Sequence, residues 1–273
     1  MPTSLLPVKR EARPRTMPVA AVIKAGRVTW RLPTVMIRSA ERFIVLFSEI
    51  KICHPKSTRE MPIFSIEGNI GSGKSTLIEK IKHASPEILL VPEPVDAWGT
   101  FKDPVTGETI LEKYYKNQKR WAFTFQMMAF ITRVSQLKKI NRNVITVIER
   151  SVFTDREVFA KMLHDAGKIH DIEYDIYLKW FDELVGDLKI DGVIHVNTSP
   201  KVCEERIAKR SRQGESNISL EYLEDCGRYH DEWLKDHPCK LVLDGDTMTP
   251  SDMVTESITF FLLQSLKNSF SRS

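Results

Sequence analysis

The chain has 273 residues, 42% of them hydrophobic, and a formal net charge of +4. This length suffices for one substantial hydrophobic core in one or two domains, and the longest apolar runs are far shorter than the roughly 20 residues of a membrane-spanning helix. The four cysteines are too few and too widely spaced for a disulfide-rich scaffold, a zinc knuckle or a C-x-x-C redox pair.

The positive charge is concentrated in residues 1–60, which carry twelve Lys and Arg against four Glu. An Arg-rich segment with few acidic residues is typical of organelle transit peptides and would direct the protein to mitochondria. The early prolines, and Met17, Met36 and Met61 as alternative starts, equally suit a disordered leader on a cytoplasmic protein. Both interpretations stay open, and nucleic-acid binding by this segment is the least favoured.

Residues 61–273 are predicted to form one α/β domain. Five short β-branched runs predict strands, at 63–66, 88–91, 144–148, 193–196 and 241–243. Helical patterns lie between and after them, at 75–83, 119–140, 155–164, 174–188, 200–212, 219–235 and 251–266. This alternation predicts a parallel five-stranded sheet covered by helices on both faces, with ligands bound at the C-terminal edge of its strands.

A glycine-rich loop follows the first predicted strand. It reads Gly68-Asn69-Ile70-Gly71-Ser72-Gly73-Lys74-Ser75, continues into Thr76, and matches the phosphate-binding pattern G-x-x-x-x-G-K-[ST]. Backbone N–H groups of such a loop surround phosphate oxygens at the start of the next helix. We expect Lys74 to reach the β- and γ-phosphates and Ser75 to hold Mg²⁺. The motif predicts a nucleoside triphosphate ligand and leaves the reaction open.

Charged residues follow the second and third predicted strands. Glu93 lies between Pro92 and Pro94, which restrict the backbone at the sheet edge, and it is a candidate general base. Glu149 ends the third strand, a position from which an acid beside a phosphate-binding loop organises Mg²⁺. Arg150 can neutralise charge on a transferring phosphoryl group. The alternatives are a loop cap for Glu93 and a salt bridge at the strand end for Glu149 and Arg150.

The long predicted helix before strand three carries a candidate nucleobase pocket. Gln126, Ala129 and Arg133 share one face of it because they are three and four residues apart. A Gln amide offers a donor beside an acceptor, as the edge of a base does, and Phe125 offers a stacking surface. Phe159, on the helix after strand three, is expected to form the second wall. Core packing is the alternative explanation for the aromatic residues.

Three arginines follow the fourth predicted strand. Arg206 and Arg210 are four residues apart and project from one helix face, and Arg212 follows them. A mobile cationic segment can close over a triphosphate. The alternative is a solvated basic face. The position after strand four favours a lid.

Taken together, these motifs resemble those of the deoxyribonucleoside kinase family, which includes deoxycytidine, deoxyguanosine and mitochondrial thymidine kinases and the insect multisubstrate enzyme. The resemblance covers about residues 62–246. Besides the glycine-rich loop and the three arginines, it rests on Glu93-Pro94-Val95, Arg120-Trp121, Phe125-Gln126, Glu149-Arg150-Ser151 and Leu220-Glu221-Tyr222-Leu223. It implies a P-loop kinase fold and ATP-dependent phosphorylation of a deoxyribonucleoside 5′-hydroxyl in nucleotide salvage.

The resemblance also implies roles for single residues. Glu93 would accept the hydroxyl proton, and Lys74 and Arg150 would stabilise the transferring phosphoryl oxygens. Ser75 and Glu149 would organise Mg²⁺.

Further implied roles concern the two ligands and the assembly. Tyr115 and Glu221 would hold the sugar 3′-hydroxyl, and Gln126 would read the base. Asp244 and Asp246 would lie beside the bound nucleotide. The implied assembly is a homodimer, and no nucleic-acid or membrane partner is implied.

The base preference is suggested by three positions. Ala129, Arg133 and Asp155 correspond to a small residue, an Arg and an Asp near the base in deoxycytidine and deoxyguanosine kinases, whereas thymidine-type members carry bulkier or neutral residues. This favours deoxycytidine and purine deoxynucleosides. The short segment between Glu93 and Trp121, and Tyr114 in place of a common Met, depart from that pattern. They keep a thymidine or multisubstrate kinase open as an alternative.

Two other functions share parts of this pattern. A thymidylate-type nucleoside monophosphate kinase has the same fold but binds a phosphate in its acceptor site, and Phe125-Gln126 with Glu93-Pro94 argues against it. A GTPase-like switch or a non-catalytic nucleotide-binding module would also contain the glycine-rich loop. The chain has no N-K-x-D guanine motif.

Overall fold

In the computed structural model, the described residues are three short strands between 20 and 52 and residues 60–186, 188–212, 214–215 and 218–270. The chain divides into two compact units, Met1–Thr58 and Arg59–Ser273. In the first unit, β1 (Ala20–Lys24), β2 (Arg27–Arg31) and β3 (Ile50–Ile52) form an antiparallel sheet in that order. The predicted transit peptide or leader lies mostly outside the described residues and stays a prediction.

The second unit is built on a parallel sheet of five strands. In chain order these are β4 (Ile63–Glu67), β5 (Leu89–Val91), β6 (Thr146–Glu149), β7 (Gly192–Asn197) and β8 (Lys240–Asp244). Their spatial order is β5-β6-β4-β7-β8, and every neighbouring pair is parallel. The predicted fold class, a helix-flanked parallel sheet, is therefore confirmed. β4 lies at the centre, so the loop that follows it opens at the middle of the C-terminal edge.

Helices flank this sheet. They are α1 (Lys74–Ala84), α2 (Val95–Trp98), α3 (Ile110–Lys116), α4 (Gln118–Leu137), α5 (Val152–Thr154), α6 (Lys161–Asp165), α7 (Asp171–Val185), α8 (Pro200–Arg210), α9 (Leu220–Leu234) and α10 (Pro250–Phe270). A π-helical segment, Asp155–Ala160, joins α5 to α6. Within the described part of the chain, none of the helices has the length and apolar character needed to cross a bilayer.

Two short helices were not predicted, and a third helix ends earlier than predicted. α2 and α3 were not predicted, because both are short and carry no long apolar period. The helix predicted over 200–212 ends at Arg210, because Ser211 takes a left-handed conformation with φ of 49°.

Buried aromatic side chains pack the helices against the sheet. Phe64 of β4 packs against Phe261 of α10, with ring centroids 4.8 Å apart, and both are buried. A second cluster joins α4 to α7, where the Phe130 ring lies 5.5 Å from that of Tyr177. Burying a side chain of this size contributes about 1.5–3 kcal/mol. The face of α4 that carries Gln126 and Arg133 is thereby fixed relative to the sheet.

Candidate active site

A cavity of about 410 Å³ lies at the C-terminal edge of the sheet. Most of the predicted site residues line it, namely Ile70, Gly71, Gly73, Lys74, Ser75, Thr76, Glu93, Tyr115, Phe125, Gln126, Ala129, Arg133, Glu149, Arg150, Asp155, Phe159, Arg206, Arg210 and Arg212. Trp98, Tyr114, Glu215 and Tyr222 also line it and were not predicted to be site residues. Six predicted residues do not line it, namely Gly68, Asn69, Ser72, Glu221, Asp244 and Asp246.

The glycine-rich loop between β4 and α1 requires glycine for two reasons. Gly68 and Gly71 have φ of 140° and 78°, a region that side chains disfavour. A Cβ at Gly68 would lie 2.4 Å from the carbonyl oxygen of Val196, and one at Gly71 would lie 2.6 Å from that of Cys203. The loop therefore passes so close to β7 and α8 that these two positions have no room for a side chain.

Lys74 is held inside this loop. Its Nζ donates to the carbonyl oxygens of Gly68, at 3.1 Å, and Asn69, at 2.5 Å. Burial and the nearby Arg150 lower the pKa of Lys74 to about 7. A bound phosphate would favour the charged form of this amine, because an opposite charge raises the pKa of a lysine.

Asn69 and Ser72 of the loop do not line the cavity but contact neighbouring elements. The Asn69 Nδ2 donates to the carbonyl oxygen of Leu223 in α9 at 2.7 Å. The Ser72 carbonyl oxygen accepts from Arg206 Nη1 and from Thr198 Oγ1, both at 3.1 Å. These two loop residues therefore connect the phosphate-binding loop to α8, to α9 and to Thr198, which directly follows β7.

Four charged side chains that line the cavity form one network. Arg133 Nη2 lies 2.5 Å from Glu93 Oε1, and Arg133 Nε lies 2.9 Å from Asp155 Oδ2. Arg150 Nε also donates to Glu93 Oε1, at 3.2 Å. Burial acts to raise the pKa of Glu93, but the two guanidinium groups outweigh it and lower that pKa to about 2. Glu93 is therefore ionised throughout the physiological pH range.

Asp155 differs from Glu93 in its electrostatic balance. Only 2% of its side chain is exposed, and this burial raises its pKa to about 6 against the opposing effect of Arg133 and Arg150. Asp155 is the first residue of the π-helical segment, and its carboxylate faces Arg133 of α4. Asp155 is mostly ionised at neutral pH and becomes protonated in mild acid.

Arg150 has a backbone conformation that is rare for a side-chain-bearing residue, with φ of 62°. Its N–H donates to the carbonyl oxygen of Ile66 at 3.0 Å. The segment that follows, 151–154, is hydrogen-bonded to Glu67. The buried Glu67 carboxylate accepts from the Ser151 N–H at 2.9 Å and from the Thr154 hydroxyl. Backbone conformations of this kind persist where surrounding contacts hold them, often at functional sites.

Ser75 and Glu149 are the residues predicted to hold Mg²⁺. The Ser75 Oγ donates to Glu149 Oε1 at 2.5 Å, across the mouth of the phosphate-binding loop. The described residues contain no group of three or more His, Cys, Asp and Glu arranged as a metal site. Mg²⁺ takes oxygen ligands and usually keeps several waters and substrate phosphates beside one or two protein ligands. One hydroxyl and one carboxylate fit that requirement.

The candidate nucleobase pocket contains a hydrogen-bond acceptor without a partner among the described residues. Gln126 is buried, and its Oε1 has no hydrogen-bond partner among the described residues. A buried polar atom without a partner is uncommon in proteins and is consistent with a ligand contact. Phe125 beside it is stacked on Tyr114, with centroids 4.5 Å apart, and meets Trp98 edge-on at 5.5 Å. Phe125 is therefore braced from two sides by aromatic rings.

The three arginines of the predicted lid have different contacts. Arg206 Nη2 donates to the carbonyl oxygen of Gly245 at 2.9 Å. Arg210 and Arg212 both pair with Glu215, the latter at 3.2 Å. Glu215 is buried although it belongs to a charged segment, so its carboxylate stands at the cavity wall together with two cations.

Asp244 and Asp246 are exposed residues at the end of β8. The Asp244 carboxylate accepts from the Asp246 N–H at 2.9 Å and from the Thr247 hydroxyl at 2.5 Å. Asp246 accepts from the Ser199 N–H at 3.1 Å. They shape the turn that Arg206 contacts and do not reach the cavity.

Glu221 is not at the position that the resemblance implied. It is exposed on the outer face of α9 and does not line the cavity. The buried face of this helix carries Tyr222, Leu223, Cys226 and His230, and adjacent helical residues point about 100° apart. Glu215, in contrast, lines the cavity, as Glu93, Glu149 and Asp155 do. Its spacing of three from Arg212 was the available sequence signal.

Comparison with known proteins identifies the family of the chain. A family model described as deoxynucleoside kinase matches residues 64–262. The chain is 41% identical over 178 residues to "Probable deoxycytidine kinase FPV151" of Fowlpox virus, covering 63% of this chain and 72% of that protein. It is 38% identical over 192 residues to deoxycytidine kinase 2 of Gallus gallus (62% and 72% covered). It is 32% identical over 174 residues to mitochondrial thymidine kinase 2 of Homo sapiens (63% and 64% covered).

Proposed function

The chain belongs to the deoxynucleoside kinase family, and we propose that among the substrates of such enzymes it prefers deoxycytidine and purine deoxynucleosides to thymidine. The protein is an enzyme that phosphorylates deoxynucleosides with ATP as phosphate donor. The proposal on base preference rests on one observation. The buried ion pair of Arg133 and Asp155 lines the same cavity as Gln126.

These three side chains suit a base with an exocyclic amine. The Asp155 carboxylate accepts hydrogen bonds only, the Arg133 guanidinium only donates, and the Gln126 amide does both. Cytosine and adenine present an amine donor where thymine presents a carbonyl acceptor and an adjacent methyl group. A carboxylate favours the amine and disfavours a carbonyl in the same place. Guanine presents a carbonyl that the guanidinium can meet.

A thymidine or multisubstrate kinase is the second candidate. The short segment between Glu93 and Trp121 and the presence of Tyr114 favour it, as does the relation to a mitochondrial thymidine kinase. The Tyr114 ring stacks on Phe125 and thereby changes the wall beside the base. Substrate comparison separates the two candidates.

For the sugar, we assign Tyr115 and Glu215 in place of Tyr115 and Glu221. Both assigned residues line the cavity, and the Glu215 charge contributes to a raised pKa of Tyr115, for which burial is the largest cause. A phenol and a carboxylate together can hold one sugar hydroxyl as acceptor and donor.

In the transfer step, the nucleoside 5′-oxygen bonds to the γ-phosphorus while the bond from phosphorus to the ADP oxygen breaks. Glu93 receives the hydroxyl proton. Because this transition state is loose, little deprotonation is needed early, and a carboxylate with a low pKa can orient the hydroxyl and accept its proton late. Lys74 and Arg150 donate to the phosphoryl oxygens as their charge develops. Arg206, Arg210 and Arg212, which line the cavity, would close over the triphosphate.

Mg²⁺ is assigned to Ser75 and Glu149. When bound there, the ion would neutralise phosphate charge. Glu149 would orient its water ligands, and Ser75 would supply one direct oxygen ligand. Substitution of either oxygen should raise the Mg²⁺ concentration needed for half-maximal rate.

The test is ATP-dependent phosphorylation by the purified full chain across the four natural deoxynucleosides, with their monophosphates in parallel. The proposal expects the highest kcat/KM for deoxycytidine or a purine deoxynucleoside. Thymidine as the best substrate would overturn the preference. Activity on monophosphates alone would replace the acceptor assignment with that of a monophosphate kinase.

For the assembly, we propose a homodimer formed through α7. Ile172, Ile176 and Trp180 repeat every four residues on this helix, and 76%, 43% and 49% of their surfaces are exposed. An exposed apolar stripe on a soluble protein marks an interaction site. The two copies of a twofold dimer present the same patch to each other, so a single helix stripe can serve both sides.

A further inference from the structure

His230 is a buried histidine on α9 that none of the roles above uses. Only 1% of its surface is exposed, and its ring lies against the cation proposed for phosphoryl transfer. The Nε2 atom is 3.4 Å from Arg150 Nη1, and the Nδ1 atom is 2.6 Å from the carbonyl oxygen of Cys226. The ring is therefore fixed at both nitrogens.

The partners determine where the proton of this ring sits. A carbonyl oxygen only accepts, so Nδ1 must carry the hydrogen in the contact with Cys226. A guanidinium only donates, so Nε2 must offer its lone pair to Arg150. Burial and the adjacent Arg150 charge lower the pKa of His230 well below its usual range, which keeps the ring neutral. His230 thus serves Arg150 as a hydrogen-bond acceptor.

We infer that His230 is a positioning residue, which holds the Arg150 guanidinium in the orientation needed for phosphoryl transfer. The other contacts of that guanidinium are Glu93, at 3.2 Å from Nε, and the Phe159 ring, whose centroid lies 4.8 Å away. Glu93 is also the proposed partner of the substrate hydroxyl. When the nucleoside occupies Glu93, the His230 contact remains as a polar restraint on the far side of Arg150.

The inference rests on the catalytic role proposed for Arg150. A long side chain loses catalytic effect when its charged group is free to rotate, since small displacements of an oriented group cost large factors in rate. The backbone of Arg150 is already fixed by the contacts to Ile66 and by its left-handed conformation. His230 supplies the corresponding restraint at the other end of the side chain.

The experiment compares His230→Asn with His230→Gln in the full chain. Asn can keep the donor near Cys226 but does not reach Arg150, whereas the longer Gln places an amide oxygen near the former Nε2. We expect His230→Asn to lower kcat by about 10-fold or more, with KM for ATP and deoxynucleoside changed less than about twofold. His230→Gln should recover most of the rate. His237→Asn, at a histidine that contacts Cys239 outside the cavity, is the matched control and should match wild type.

Three results would overturn the inference. In the first, His230→Asn retains wild-type kcat while Arg150→Lys loses it, which removes His230 and keeps Arg150. In the second, Arg150→Lys leaves kcat unchanged, which removes the role of Arg150 itself. In the third, His230→Asn lowers kcat by the same factor in the Arg150→Lys background as in wild type. Effects of residues that act through one another are not additive, so equal factors would show that His230 does not act through Arg150.

A measurement on the unmodified protein covers the case in which His230→Asn fails to fold. Nitrogen NMR of the histidine side chains distinguishes the two neutral tautomers. The inference requires a neutral His230 ring with hydrogen on Nδ1 and none on Nε2. A hydrogen on Nε2 at neutral pH would exclude the acceptor contact and overturn the inference.

Discussion

The Arg133 Nη2 lies 2.5 Å from the Glu93 Oε1, so the side chain proposed to read the base also contacts the carboxylate proposed to take the proton. The same guanidinium donates from Nη1 to the carbonyl oxygens of Glu149 and Arg150, at 3.2 and 3.3 Å. Base recognition, the general base and the turn at the end of β6 therefore share one cation. A change at Arg133 is expected to alter turnover as well as substrate choice.

Replacing Glu93 by Gln tests the general base. We expect Glu93→Gln to lower kcat by about 100-fold or more, since a positioned base contributes factors of this size. ATP binding should change little, because Glu93 is proposed to contact the nucleoside hydroxyl and not the ATP. Steady-state kinetics and ATP titration measure the two effects. Glu79→Gln, at an exposed position of α1, is the control, and wild-type turnover in Glu93→Gln would refute the assignment.

Removing the ion pair at the base pocket tests substrate choice. We expect the double variant Arg133→Met with Asp155→Ala to raise the thymidine to deoxycytidine ratio of kcat/KM, because it deletes the charged pair and opens space. Its absolute rates should fall, since Glu93 loses one of its two cations. The measurement is kcat/KM for both nucleosides in wild type and variant. An unchanged ratio would show that the pocket floor lies elsewhere.

The single variants of this pair make a separate prediction about stability. Arg133→Met leaves the Asp155 carboxylate, 2% exposed, without its cationic partner. Breaking one side of a buried ion pair costs about 3–5 kcal/mol, whereas removing both partners costs much less. Thermal unfolding should therefore rank the double variant above Arg133→Met. A lower melting temperature for the double variant would contradict the ion-pair explanation.

Several of these features were predictable from the sequence and others were not. Residues that follow a strand directly, such as Glu149 and Arg150, were predictable because the period of two and the parallel connections place strand ends at one edge. The left-handed backbone of Arg150 has no sequence signal, since its side chain disfavours that conformation and tertiary contacts impose it. α3 had a usable signal: Thr109 and Glu112 form a capping box, in a Thr-x-x-Glu pattern.

Long-range contacts account for the remaining differences. Glu221 was favoured because of its place in the family motif Leu220-Glu221-Tyr222-Leu223, yet helix geometry turns it to solvent. Glu215 lies in an irregular segment, where no period predicts the direction of a side chain, and its spacing of three from Arg212 was the one sequence signal for its position. His230 and Arg150 are 80 residues apart in the sequence, and no local sequence pattern predicts their contact.

The proposed contact of Asp155 with the base predicts a pH dependence of nucleoside binding. Its pKa is raised from 3.8 to about 6, so KM for deoxycytidine should rise as pH falls through about 6, when the carboxylate becomes protonated. Glu93, with a pKa of about 2, stays ionised in this window and does not contribute. KM for ATP should stay nearly constant. Asp155→Asn should show a high KM with no such pH dependence; the same pH profile in Asp155→Asn would assign the effect to another group.

The sign for stability is opposite to that of an ordinary paired carboxylate. Between pH 3.8 and about 6 the folded protein holds the Asp155 proton and the unfolded chain does not. The contribution of Asp155 to the free energy of unfolding therefore falls as pH rises through this window. Denaturant unfolding of wild type and Asp155→Asn at both ends of the window measures it. As pH rises through the window, we expect the free energy of unfolding of wild type to fall relative to that of Asp155→Asn. A constant difference between the two free energies would count against the raised pKa.

The carboxylate proposed to bind the sugar is tested by two matched variants. We expect Glu215→Gln to raise KM for deoxynucleosides by about 10-fold or more, since it weakens a buried hydrogen bond to a charged acceptor. Glu221→Gln, on the exposed face of α9, should leave KM unchanged. Steady-state kinetics with one deoxynucleoside suffices. The reverse result would restore Glu221 to the site.

Disrupting the apolar stripe on α7 tests the proposed dimer. Trp180 and Ile176 expose 49% and 43% of their surface, so introducing charge there should cost little in a monomer. In a dimer, Ile176→Glu with Trp180→Glu would bury unpaired like charges against their symmetry mates and separate the subunits. We expect the mass from light scattering or sedimentation to fall from that of two chains to that of one. Val105→Glu, 91% exposed on the loop before α3, should leave the mass unchanged. If the double variant keeps the mass of two chains, the subunits associate through another surface, and if wild type has the mass of one chain, the dimer proposal is wrong.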